Sequence, residues 1–136
     1  MGRNRLPDLS RFELQCLRML WDRGAASARQ IHDALVDPPS YSTIRKIFER
    51  LEDKHAVERV GKDGRAFVYR PAVGRREMVR KEVGQFLDTL FDGAAAPLVS
   101  HLARERALDL DDLREIERVL GEDADRPDAG EREEPS

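Results

Sequence analysis

The chain is short of cysteine, of aromatics and of long apolar runs, and each shortage removes a class of protein. A single cysteine, Cys16, cannot close an internal disulfide, which points to a reducing compartment. It lies among Phe12, Leu17, Met19 and Leu20, the setting of a small buried thiol. No segment approaches the roughly 18 consecutive apolar residues that mark a membrane-spanning helix. The first residues, Met-Gly-Arg-Asn-Arg-Leu-Pro, lack the apolar centre of a signal peptide, so a soluble, cytoplasmic protein without a membrane partner is expected. The histidines, His32, His55 and His101, fall far apart without metal-ligand spacing, and neither a glycine-rich phosphate loop nor a nucleophile elbow is present. Catalysis, a bound metal and a cofactor are therefore not expected.

Charge, by contrast, is abundant. Of the 136 residues 38% are Asp, Glu, Lys or Arg, and the net charge is only −3. The distribution says more than the total. Met1 to Glu82 hold 18 Lys/Arg against 12 Asp/Glu, whereas Val83 onward holds 6 against 15. A basic front and an acidic back suit a module that meets a polyanion joined to one that does not.

Within the basic half, Ser40 to Arg70 is the most informative stretch. Ile44, Ile47, Phe48 and Leu51 recur at i, i+3, i+4 and i+7, so residues 41–55 read as a helix with one apolar stripe, capped by Ser40. Ser42 and Lys46 lie opposite the stripe, with Arg45 and Arg50 on its flanks. Residues 57–70 then read as a β-hairpin, Asp63-Gly64 supplying the pair that tolerates positive φ in a two-residue turn. A cation-bearing helix followed at once by a cationic ribbon suggests a winged helix for DNA. Ser42, Arg45 and Lys46 are then candidates for base edges; Tyr41, Thr43, Arg50, Lys62 and Arg65 are candidates for the DNA backbone. Glu49 and Asp53 share the exposed side of the helix, so either the helix has left the groove there or Glu49 accepts from a cytosine amine. A winged helix used only as a protein-interaction module remains the alternative.

Ahead of this stretch, residues 1–9 read as an arm carrying Arg3 and Arg5. Ser10–Glu13 and Ser27–Gln30 are capping boxes that open two helices, the first stopping at Gly24 and the second before Asp37-Pro38-Pro39. The fold class expected is mostly α with a small β-hairpin: an N-terminal winged helix-turn-helix (10–71) plus a C-terminal three-helix dimerisation domain (75–120). In that second part Val79, Val83, Phe86, Leu87 and Leu90 form one seam, Leu98 and Leu102 another, and Leu113, Ile116 and Leu120 a third, behind an Asp109 cap. About 46 residues bury too little apolar surface alone, so these seams are expected to form a homodimer interface. Residues 121–136 contain only Gly, Pro, Ala, Ser, Asp, Glu and Arg and read as a disordered acidic tail.

With the elements placed, the chain resembles the penicillinase-repressor family, to which the BlaI, MecI and CopY regulators belong. The resemblance rests on Leu9-Ser10-Arg11-Phe12-Glu13-Leu14-Gln15-Cys16-Leu17-Arg18-Met19-Leu20-Trp21, on Tyr41-Ser42-Thr43-Ile44-Arg45-Lys46-Ile47-Phe48-Glu49-Arg50-Leu51, and on Gly64-Arg65-Ala66-Phe67-Val68-Tyr69. It implies a repressor of transcription whose partners are a second copy of itself and a dyad-symmetric double-stranded DNA operator. It also implies a regulatory protease, the matching place lying near Ser100-His101-Leu102, where the residues differ from the family pattern. The cysteine pairs of CopY-type proteins are absent, which argues against thiolate metal sensing. His55 stands where relatives commonly place glycine, implying a left-handed cap.

Overall fold

The computed structural model describes residues 6–125, so the arginines Arg3 and Arg5 and the tail from 126 onward lie outside the described residues. The elements run α1 (Arg11–Arg23), β1 (Ala26–Ser27), α2 (Ala28–Ala34), α3 (Tyr41–Asp53), β2 (Val57–Asp63), β3 (Ala66–Pro71), α4 (Arg75–Phe91), α5 (Ala95–Arg104) and α6 (Leu110–Asp125). They divide into two compact units at Gln85/Phe86, inside α4.

In the first unit both capping boxes form. Ser10 Oγ accepts from the Glu13 N–H while Glu13 Oε1 accepts from the Ser10 N–H, and Ser27 and Gln30 repeat the pattern one helix later. Ser40 caps α3 by accepting from the Thr43 N–H. The expected stripe of α3 is the core: Ile44, Phe48 and Leu51 are fully buried and Ile47 nearly so, packed with Cys16, Leu17, Leu20 and Ile31. Tyr69 closes the sheet side, its ring 5.1 Å from that of Phe48.

The wing differs from expectation in two respects. Ala26–Ser27 adds a third strand, giving the antiparallel order β1-β3-β2. The loop also sits one residue further on than expected: Asp63 pairs with Ala66, so the two loop residues are Gly64 and Arg65. Positive φ falls only on Gly64, at +65°, the first loop position, where a type II′ connection requires glycine. Arg65 is thereby placed at the tip. Val60 is skipped between the pairs Arg59–Tyr69 and Gly61–Val68, making a β-bulge.

The first half of α4 belongs to this unit. Met78 is 1% exposed, the Trp21 indole N–H donates to the Val73 carbonyl at 3.0 Å, and Arg75 pairs with Asp22 at 3.2 Å. Val79 and Val83 border an apolar groove of about 250 Å³ with Leu14 and Trp21.

In the second unit α4 ends at Asp92-Gly93, both with positive φ, the Gly93 N–H returning to the Leu87 carbonyl at 2.9 Å. Asp109 caps α6 reciprocally with Asp112. The helix continues through Gly121 to Asp125, past the Leu120 at which the sequence reading ends it. Arg118 pairs with Glu115 and Glu122 along that last stretch, supporting turns whose composition alone reads as unstructured. No helix among the described residues is long and apolar enough to cross a membrane.

Candidate nucleic-acid interface

The side of α3 away from the core carries Ser42, Arg45, Lys46 and Glu49, all exposed. The turn that delivers this helix is pinned from α2: His32 Nε2 donates to the Pro39 carbonyl at 3.0 Å, and the imidazole meets Tyr41 edge-on at 6.0 Å. Ser42 and Thr43 place their hydroxyls 3.1 and 2.9 Å from Ser40 Oγ, so the first turn of α3 presents a small hydroxyl cluster.

Between α3 and the wing lies a groove of about 300 Å³ bordered by Tyr41, Arg45, Glu49, Arg59, Arg65 and Phe67. Its cations are aimed by aromatic faces. Arg29, at the start of α2, lies 4.0 Å over the Tyr41 ring, with Arg45 6.0 Å from the same ring. On the wing, Arg59 stacks 3.8 Å over Phe67 and Lys62 Nζ is 4.9 Å from it. Each such contact contributes only about 0.5–1 kcal/mol at an exposed site, but it holds a long side chain in one direction. Among the described residues Arg29, Arg45, Lys46, Lys62 and Arg65 make no ion pair, whereas Arg59 is bound to Glu52 at 3.0 Å.

Arg29 and Arg59 did not figure among the sequence candidates. Arg59 had a signal, since it pairs with Tyr69 next to Phe67 across the ribbon; Arg29 had none.

Arg50 stands apart from this face. Its Nε donates to Glu13 Oε2 at 3.3 Å, and Lys54 Nζ reaches Glu13 Oε1 at 2.7 Å. Glu13 is 2% exposed. Burial alone would raise its pKa, but the Lys54 hydrogen bond, the Ser10 N–H and Arg50 outweigh that and hold the carboxyl below the usual glutamate range. Arg50, expected at the DNA backbone, has its Nε engaged by a partner 37 residues upstream, beyond the reach of helical spacing, while its side chain stays 56% exposed.

Other titratable groups here are structural. Burial, with the Glu13 charge nearby, pushes the Cys16 thiol up to about 12, which leaves it unreactive. Burial likewise raises the Tyr69 phenol, against the opposing pull of Arg59. His55 takes φ +62°, the left-handed conformation that closes α3. No group of His, Cys, Asp and Glu among the described residues could hold a metal.

The fold, a helix-turn-helix followed by a two-stranded ribbon, has counterparts among solved structures. A mutant MarR from E. coli complexed with operator DNA superposes with a TM-score of 0.51 at 18% identity, covering 85% of this chain and 75% of that one, a likeness of fold. The penicillinase repressor of Bacillus licheniformis is 23% identical over 124 residues, 90% of this chain and 96% of that protein. The methicillin resistance regulatory protein MecI of Staphylococcus aureus (strain N315) is 25% identical over 119 residues, 86% of this chain and 96% of its own length. The penicillinase repressor family model matches residues 9–122. The chain belongs to the penicillinase repressor family, a family of DNA-binding transcriptional repressors and not of enzymes.

Proposed function

We propose that the protein is a homodimeric, sequence-specific repressor that lays α3 in the major groove of each half of a two-fold symmetric operator. Arg45, Lys46 and Ser42 read base edges there; Tyr41, Thr43, Arg50, Lys62 and Arg65 hold the sugar-phosphate backbone, joined by Arg29. The observation that carries the proposal is that Arg29 and Arg45 meet at the Tyr41 ring, Arg45 and Arg65 border one groove with Phe67, and Lys62 lies against Phe67, none of them ion-paired among the described residues, while the opposite stripe of α3 is buried. Glu49 lies where the helix can accept from a cytosine amine or pass out of the groove.

Dimerisation is supported by the second unit, where apolar side chains face water. Phe86, Leu90, Leu113, Ile116, Val119 and Leu120 are 41–63% exposed, and α6 buries none of its described residues. Leu87, Leu98 and Leu102 are half-buried beside them. Such faces call for a cover, and a second copy supplies one of matching pattern. Relief of repression by a regulatory protease near Ser100-His101-Leu102 would require α5 to unwind first, since all three residues are helical.

The test is an electrophoretic shift titration with duplex selected from a random pool, at several salt concentrations, beside sedimentation of the free protein. Tight binding to the selected duplex that falls linearly on a log–log salt plot, by a sedimenting dimer, is expected. Monomers indifferent to duplex at low ionic strength would overturn the proposal.

A further inference from the structure

The bulge at Val60 changes which way the outer half of the wing points. Side chains alternate between the two faces of a strand, and residues paired across an antiparallel ladder share a face. Arg59 pairs with Tyr69 and Lys62 with Phe67, and those two aromatics, alternate residues of β3, lie on one face. That face looks towards α3: Tyr69 packs on Phe48, and Arg59 reaches Glu52. Both cations lie against the Phe67 ring, at 3.8 and 4.9 Å. Strict alternation would put Arg59 and Lys62 on opposite faces; the extra residue at Val60 brings them to the same one. The far face takes Glu58, joined to Arg70 by both the ladder and an ion pair, and Asp63, which pairs with Ala66. Without the bulge the order would reverse beyond Arg59. Asp63 would then face the groove that Arg45 borders, and Lys62 would face away.

We infer that Val60 is a positioning residue: its bulge turns Lys62 towards the DNA backbone on the α3 side of the wing and turns Asp63 away from it. The inference rests on the DNA-binding reading above and needs only one copy of the winged helix. Charge of the right sign on the right face is what the bulge secures. Arg59, the other cation of this face, is already tied to Glu52, so Lys62 is the one left to meet phosphate from the ladder. A carboxylate in its place would set like charge against like. The rival is a wing that acts through its total charge alone. In that case the face would be immaterial, because both sides of one strand lie within a Debye length of about 8–10 Å.

The experiment measures the salt dependence of binding by full-length variants, on the duplex that wild type selects from a random pool. Lys62→Ala should reduce the log–log slope by about one, and Lys62→Arg should keep it. Gly61→Lys combined with Lys62→Gly preserves composition and moves the cation to the far face. Gly61 accepts a side chain there: it pairs with Val68, its φ is not positive, and open space stands where a Cβ would be. The relocated variant should behave like Lys62→Ala. Arg70→Ala, which removes a far-face cation, should keep the wild-type slope. A wild-type slope in the relocated variant or in Lys62→Ala would overturn the inference. So would a loss in Arg70→Ala equal to that in Lys62→Ala, a comparison that leaves the ladder intact and decides the matter if the relocated variant does not melt cooperatively. A wild type that ignores duplex at low ionic strength would instead remove the DNA-binding reading, and the inference with it.

Discussion

Lys54 Nζ lies 2.7 Å from Glu13 Oε1, so one buried carboxylate both completes the cap of α1 and holds the C-terminal end of α3. The same oxygen pair receives Arg50. A residue that the chain uses to start its first helix therefore also orients α3.

Glu13→Gln should lower stability at neutral pH by about 1–3 kcal/mol, since the two cations lose their charged acceptor. Because the folded-state pKa of Glu13 lies below the ordinary 4.5, its contribution is complete above that value and is lost as pH falls through the lower folded value. Urea denaturation at a series of pH values should show the wild type losing more stability than Glu13→Gln below about pH 4.5. Parallel curves for the two proteins would refute this.

Arg45→Ala and Arg65→Ala should fail in different ways. Loss of Arg45 should narrow the gap between selected and random duplex, by about 1–3 kcal/mol if the contact is bidentate to guanine. Loss of Arg65 at the wing tip should weaken all duplexes alike and reduce the salt slope by about one. The titrations that test DNA binding read both quantities.

His55 pays a backbone penalty that glycine would not, its φ being +62°. His55→Gly is expected to raise stability by about 0.5–1 kcal/mol, and His55→Ala is not. Thermal melts of the two variants decide the matter.

Ile116, 41% exposed on α6, lies in the middle of the apolar seam. Ile116→Glu should shift sedimentation towards single copies and cut affinity for a two-half-site duplex at least tenfold, with single half-site binding unchanged. Retention of the dimer would move the interface elsewhere.

How much of this could be read from the residues alone varies with the range of the interaction. The helices were legible because their signals are local: Ser10–Glu13 and Ser27–Gln30 cap within three residues, and the Ile44–Leu51 stripe repeats within two turns. The wing was legible as a hairpin, but its loop was misplaced by one residue, since Asp63-Gly64 and Gly64-Arg65 both offer a glycine at a usable position. β1 escaped because two residues carry no periodicity. The partner of Arg50 escaped for a different reason: Glu13 is 37 residues away, and only folding brings the two together. Within the site, Ser42, Arg45 and Lys46 were placed on the exposed side by counting, whereas the stacking of Arg29 on Tyr41 required the packed helices.

The bulge at Val60 has a bearing on solubility. β2 is an outer strand of a three-stranded sheet, seven residues long, with an open row of backbone donors and acceptors along one side. Such a strand invites another molecule to extend the sheet indefinitely. The extra residue kinks the ladder midway and sharpens its twist, so no straight run is left for a stranger to zip onto; a deletion that flattened the strand by removing Val60 would be expected to produce a protein that clumps.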